Sequence, residues 1–314
     1  MYVLIVFMAV QQALGQTEAP HSPTAILADT EFTRGFVLTA ASHPGPKIEI
    51  GILQTGPAPA GEDPRWRLAQ WGTRHLLEPG ACIPSGDGLW VAENPAKRVT
   101  LKRAANEGTT LRLEVLGGTE YAGHLRAAGE AWPHLLIEQR FPEPVRLGAL
   151  QRLRFTLGMR VDYCRSVQET AAQLNPGLHT AQASAFWTVH NLSPENPDYR
   201  DMIWFGIPLF DARHDVPPSH YALDVGKNDA TGKFICLLDG KRFWSGRTGD
   251  GQWRSLETDL LPLLREALTI SQEHGYLKHS GLEDLGLTTF NLGWEIPGPY
   301  DAAIELRGLA LSGW

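Results

Sequence analysis

Apolar and polar residues alternate strictly in Lys47-Ile48-Glu49-Ile50-Gly51-Ile52 and in Thr110-Leu111-Arg112-Leu113-Glu114-Val115. A period of two belongs to a strand with one buried and one wet face. The same reading predicts strands over 36–39, 98–102, 134–139 and 150–161. In the second half, 185–190, 202–210, 234–238, 287–294 and 303–311 are strongly apolar strand runs. Gly, Pro or Asn separates the runs at intervals of about ten residues, the spacing of a sandwich or barrel. One segment breaks the pattern. Leu256, Leu260, Leu263, Leu264, Ala267 and Ile270 recur at spacings of three and four, a helical stripe. It predicts one amphipathic helix over about 256–273, started by Ser255, Thr258 or Asp259 and stopped by Gly275. Pro262 is tolerable only in the first turn, where its missing N–H costs nothing.

Composition supports short strands and turns over long helices, with 32 Gly and 22 Pro in 314 residues. Thirty-five acidic against 28 basic residues give a net charge of -7, which argues against a nucleic-acid partner. The apolar run YVLIVFMAV (2–10) is shorter than the roughly 20 residues a bilayer span needs. It has the length of a signal-peptide core, with a small-x-small cleavage site at Ala13-Leu14-Gly15. The expected organisation is a signal peptide at 1–15, a flexible leader at 16–34 and one large β-sandwich domain at 35–314. Such a product is secreted or periplasmic, with no membrane span. Cys82, Cys164 and Cys236 show no CxxC, which excludes a zinc knuckle. Cys236 reads as a buried small hydrophobe, and Cys82 with Cys164 as the pair if two join. Asn191-Leu192-Ser193 has the form of a glycosylation sequon, followed by Pro194.

The densest chemistry lies in FDARHDVPPSHYALDVGKND (210–229), directly after a strongly apolar run, the kind of anchored loop where sites concentrate. Asp211, Asp224, His220 and Tyr221 offer acid–base groups and Arg213 a cation. His214, Asp215, His220 and Asp224 also offer ligands for a divalent metal. A second group alternates in Thr289-Phe290-Asn291-Leu292-Gly293-Trp294-Glu295, where Thr289, Asn291, Gly293 and Glu295 share a face. Trp187 and Asn191 share one face of their strand, Thr188 and His190 the other. Trp204 and Gly206 oppose Ile203, Phe205 and Ile207. Trp, Asn, His and Glu together suit carbohydrate, because sugar C–H faces stack on rings while hydroxyls need amide and carboxylate partners. The motifs GxxxxGK[ST], GxGxxG, GxSxG and HExxH are absent.

The segments FWTVHNL, DMIWFGIPLFDAR, FNLGWEIPG and AAIELRGLALSG make the chain resemble jelly-roll proteins of the concanavalin-like lectin and glucanase kind. The resemblance implies an all-β jelly-roll sandwich that binds or cuts polysaccharide on a concave sheet face. The ExDxxE strand of laminarinase-type enzymes and the QIH strand of alginate lyases are both absent. Three readings stay open. A glycoside hydrolase would draw its carboxylate pair from Asp211, Asp224 and Glu295, with His190 and His220 as tuning groups. A polysaccharide lyase would use His220 or Tyr221 as base, with Arg213 against a uronate. A non-catalytic binder would hold a structural Ca²⁺ through Asp oxygens. In each, Trp187, Trp204, Arg213, Tyr221, Asn291 and Trp294 are the candidate sugar contacts, and no catalytic cofactor is required.

Overall fold

The computed structural model describes residues 22–41, 46–56, 62–80, 82–86, 88–104, 108–167, 173–225 and 230–314. The expected signal peptide lies outside the described residues.

In chain order the first strands are β1 (Thr24–Ala25), β2 (Phe36–Ala41), β3 (Lys47–Leu53), β4 (Trp66–Trp71), β5 (Cys82–Pro84) and β6 (Leu89–Asn94). They are followed by β7 (Lys97–Ala104), β8 (Gly108–Leu116), the single turn α1 (Gly117–Glu120), β9 (His134–Arg146) and β10 (Leu153–Ser166). Next come β11 (Gln182–Asn191), β12 (Met202–Asp211), β13 (His220–Leu223) and β14 (Phe234–Leu237). The chain closes with β15 (Arg254–Asp259), the helix α2 (Leu260–Glu273), β16 (Leu285–Glu295) and β17 (Tyr300–Gly313).

Among the described residues the strands form two sheets. One runs β15-β10-β17-β8-β7-β6-β5, with β1 added to the end of β17. The other runs β13-β14-β12-β11-β16-β9-β4-β2-β3. The alternation read from the sequence sorts the residues of each strand onto two faces. Phe290, Leu292 and Trp294 of β16 are fully buried, as are Phe155 of β10 and Trp187 of β11. Across the gap the Phe155 and Trp187 rings meet edge to face at 4.9 Å. The Trp294 indole N–H donates to the Leu113 carbonyl of the opposite sheet at 3.0 Å. Two sheets sharing one apolar layer make an all-β sandwich, as the pattern predicts.

Trp187 and Trp294 therefore belong to the core and are not sugar contacts. Alternation had grouped their neighbours correctly; which face turned inward depended on the second sheet.

Helix α2 begins later than expected. Residues 256–259 extend β15, and the Asp259 carboxylate caps the helix by accepting from Leu261 N at 3.1 Å. Pro262 falls in the first turn, and Gly275 follows with φ +93°. The described part of the expected leader, 22–34, is built into the fold. Thr24 and Ala25 pair with β17, Leu27 and Phe32 are buried, and the Trp66 indole donates to the Asp29 carbonyl.

Cys164 and Cys236 are free thiols. The side chain of Cys82, the expected partner of Cys164, lies outside the described residues. The sequon is closed as well. Asn191 is buried, donating to Ser280 Oγ at 2.8 Å and accepting from Ser193 N at 2.9 Å.

Candidate functional site

The outer face of the nine-stranded sheet carries an open cleft of about 530 Å³. Its register explains what meets there. In an antiparallel sheet, directly opposed residues share a face. His134 of β9 opposes Glu295 of β16, Glu295 opposes Gln182 of β11, and Gln182 opposes Asp211 of β12. Four polar side chains thus form one rung across four strands, all directed into the cleft. Trp71, the last residue of β4, extends the row, its ring 5.6 Å from that of His134. Trp132 stacks on His134, with ring centroids 5.8 Å apart. Trp204, Phe186 and Phe210 line the cleft further along, with Asn291 and His220.

Glu295 is the carboxylate at the centre of this row. Its Oε2 accepts from the Trp132 indole N–H at 3.1 Å and stands 3.3 Å from His134 Nε2, while a third of the side chain stays accessible. His134 is buried, and its Nδ1 lies 3.0 Å from the Trp132 carbonyl oxygen.

Asp211 on the same rung has a different environment. Oδ1 accepts from Thr180 Oγ1, Arg213 N and Arg213 Nε, and Oδ2 from Gln182 Nε2 and Arg213 Nη2, at 2.5–3.0 Å. Burial alone would push this carboxyl up. The hydrogen bonds from Arg213 and Gln182 and the Arg213 charge outweigh it and hold it down at about 2. A carboxylate with five donors has no lone pair left for substrate or proton, so Asp211 is an anchor and not an acid or base. Arg213 is engaged as well. Nε and Nη2 donate to Asp211, which balances its charge, and Nη1 donates to the Pro176 carbonyl, three of its five N–H donors.

The remaining candidates are scattered. Asp224 lines the cleft but accepts from Thr231 N and Oγ1, both at 2.8 Å. Leu223 beside it shares a rung with Phe234, Ile203, Val189 and Leu287, and Leu287 is eight residues from Glu295, roughly 25 Å along β16. Asp224 and Glu295 are therefore no carboxylate pair. His220 lines the far wall from β13, four strands from β16. Tyr221 turns to the opposite side, its ring 6.0 Å from that of His274 beyond α2. His190 opposes Gly286, nine residues from Glu295, and borders a separate hollow with Arg146, Tyr199 and Arg200. Burial and the nearby Lys233 charge lower its proton affinity.

Trp244 is buried, and its indole donates to the Pro208 carbonyl. Trp253 lies under the Arg307 guanidinium at 4.0 Å. No three His, Cys, Asp or Glu among the described residues converge as metal ligands, and Asp211, Asp215 and Asp224 engage Arg213, Arg247 and Thr231 instead of a common point.

The sequence reading missed Trp71, Trp132, His134, Gln182 and Phe186. His134 opens a strand whose alternation was visible. Nothing in the chain showed that β16, more than 140 residues later, pairs with it.

No protein-family model matches the chain, and no curated protein aligns with it. Solved structures do resemble it. An endoglucanase from Rhodothermus marinus is 12% identical over 74% of this chain and 97% of its own, with a TM-score of 0.37. Endoglucanase 3 from Trichoderma harzianum is 10% identical over 82% and 98%, with a TM-score of 0.36. A family 12 xyloglucanase from Bacillus licheniformis is 12% identical over 76% and 99%, with a TM-score of 0.37. Among the described residues no helix is long and apolar enough to cross a membrane.

Proposed function

We propose that the cleft on the nine-stranded sheet takes a neutral polysaccharide or oligosaccharide, with Glu295 as the carboxylate that meets the sugar. The rung Trp71–His134–Glu295–Gln182–Asp211 carries this reading. Rings at one end offer stacking surfaces, and amide, imidazole and carboxylate groups offer directional hydrogen bonds to hydroxyls. Trp204, Phe186 and Asn291 extend the same mixture along the cleft. A neutral sugar is favoured because the Arg213 charge is already balanced by Asp211. On this reading the protein acts outside the cytoplasm, as the apolar start of the chain implies.

Glycoside hydrolysis is the second reading, favoured by Glu295 itself. It is partly solvent-accessible and hydrogen-bonded, in a groove lined by rings, as a proton-transferring carboxylate must be. Asp211 then supplies a neighbour ionised near neutral pH, about 10 Å away at the Cα level, two strand spacings across the rung. The saturation of Asp211 by five donors favours binding without cleavage.

Incubation with a panel of neutral and uronate polysaccharides separates the readings. Reducing ends released by the wild type and abolished by E295Q establish hydrolysis. Retardation in a polysaccharide gel without product establishes binding alone. Unsaturated products absorbing in the ultraviolet would contradict both.

A further inference from the structure

His190 of β11, Gly286 of β16 and Arg146 of β9 oppose one another and form a second rung. His190 is eight residues from Gln182, so it shares the outer face of the sheet with the cleft but lies roughly 26 Å further along β11. Gly286 leaves the middle of this rung open, and a Cβ there would collide with Leu192. Leu192 lines a hollow of about 510 Å³ together with His190, Arg146, Glu143, Tyr199 and Arg200. The turn that brings Tyr199 and Arg200 here is held fast. Asn191 N donates to the Asp201 carbonyl and Arg200 N to the Asn191 carbonyl, at 2.9 and 3.0 Å. Asn196 donates to the His279 carbonyl and to Asp284, while Asp198 accepts from His279 N and Ser280 Oγ. Within the turn Arg200 has φ +68°, a left-handed conformation that costs a residue with a Cβ. Strain of this kind clusters at functional sites.

We propose that this hollow is an oxyanion site, taking a sulfate, phosphate or carboxylate group between Arg146 and Arg200. Among the described residues neither arginine makes an ion pair or a side-chain hydrogen bond. The nearby carboxylates are engaged elsewhere: Asp198 and Asp284 hold the turn, and Asp201 pairs with Lys233 at 2.6 Å. Glu143 is the acidic side chain on the wall, and no ion pair joins it to either arginine. The Arg200 guanidinium lies 5.2 Å from the Tyr199 ring. Such a contact engages the face of the guanidinium and leaves its edge N–H groups for an acceptor. Those edges match an oxyanion through parallel donors, with the charge to balance it. His190 adds a ring N–H without charge, because burial and the Lys233 charge lower its proton affinity. The site goes beyond the saccharide reading above and stands whether or not the cleft takes a sugar.

Titration of the full-length protein with sodium sulfate tests this, with ionic strength held constant by chloride and the arginine and histidine side chains followed by nitrogen-15 spectra. Saturable shifts are expected at Arg146, Arg200 and His190. R146Q and R200Q should each weaken sulfate about tenfold or more, the loss of one charged hydrogen-bond partner. R140Q, at an exposed position of β9 outside the hollow, should leave it unchanged. R200G suits the left-handed φ, so it should keep the thermal midpoint of the wild type while losing the shifts; a merely structural Arg200 would do the reverse. Phosphate, glucuronate, and a sulfated oligosaccharide beside its unsulfated parent then identify the source. Binding of the inorganic ions supports a site for free oxyanions. Binding of the sulfated chain alone, with its advantage removed by R146Q, supports one for an acidic group on a saccharide. No saturable shift with any of these anions, or shifts that survive both R146Q and R200Q, overturns the proposal. Shifts of cleft residues by the unsulfated oligosaccharide report on the saccharide reading separately, so either claim can fail alone.

Discussion

Asp211 and Glu295 pair with the same residue, Gln182, one from each neighbouring strand, and so stand on a single rung of the sheet. Their roles diverge because of what surrounds them. Asp211 is sealed by five donors, while Glu295 keeps a third of its surface open to the cleft.

Asp211 makes the fold acid-sensitive. Its carboxyl is depressed from an ordinary 3.8 to about 2, so the stabilisation it gives is complete above the unfolded value. It is lost as pH falls from about 5 through 2, and the difference amounts to roughly 2 kcal/mol. Urea midpoints measured across that range should fall with pH in the wild type. D211N should be less stable at pH 7 and should show a shallower acid slope.

Tryptophans on the two faces should respond oppositely. W187A empties a fully buried site between Phe155 and Phe290 and should cost about 3–5 kcal/mol of stability. W204A, on the cleft side, should leave thermal unfolding within a few degrees of wild type while weakening saccharide binding about tenfold or more. Equal loss of stability in both variants would show that Trp204 is structural.

Lys97 and Glu120 form an ion pair that is almost entirely buried, joined by Thr73 and the His75 carbonyl. Burial lowers the proton affinity of Lys97, opposed by the Glu120 charge. E120A alone strands a buried cation and should cost about 3–5 kcal/mol. The double variant K97M/E120L should recover most of that loss in a chemical denaturation series. Equal destabilisation of single and double variants would contradict a desolvation cost.

The reach of the sequence follows from what is local. Period-two alternation found most strands, and the three-four stripe found α2, because burial on one face is encoded within a few residues of each element. Alternation also sorted Asn291, Gly293 and Glu295 from Phe290, Leu292 and Trp294 correctly. It could not choose which face met the second sheet, so Trp187 and Trp294 were expected on the surface. The loop 210–229 drew attention for its density of charge, yet much of that charge is spent internally, Asp211 on Arg213 and Asp224 on Thr231. His134 and Gln182 became visible only through register, since their relation to Glu295 depends on pairings between distant strands.

Calorimetric titration of the wild type, W204A and E295Q with a panel of neutral oligosaccharides tests the central claim most directly. At least one sugar should bind the wild type at a single site. W204A should weaken it about tenfold with its fold intact, and E295Q should alter the affinity or the heat while Trp187 and Trp294 stay shielded from a solvent quencher. Absence of heat with every sugar, or an affinity that neither substitution changes, would contradict it.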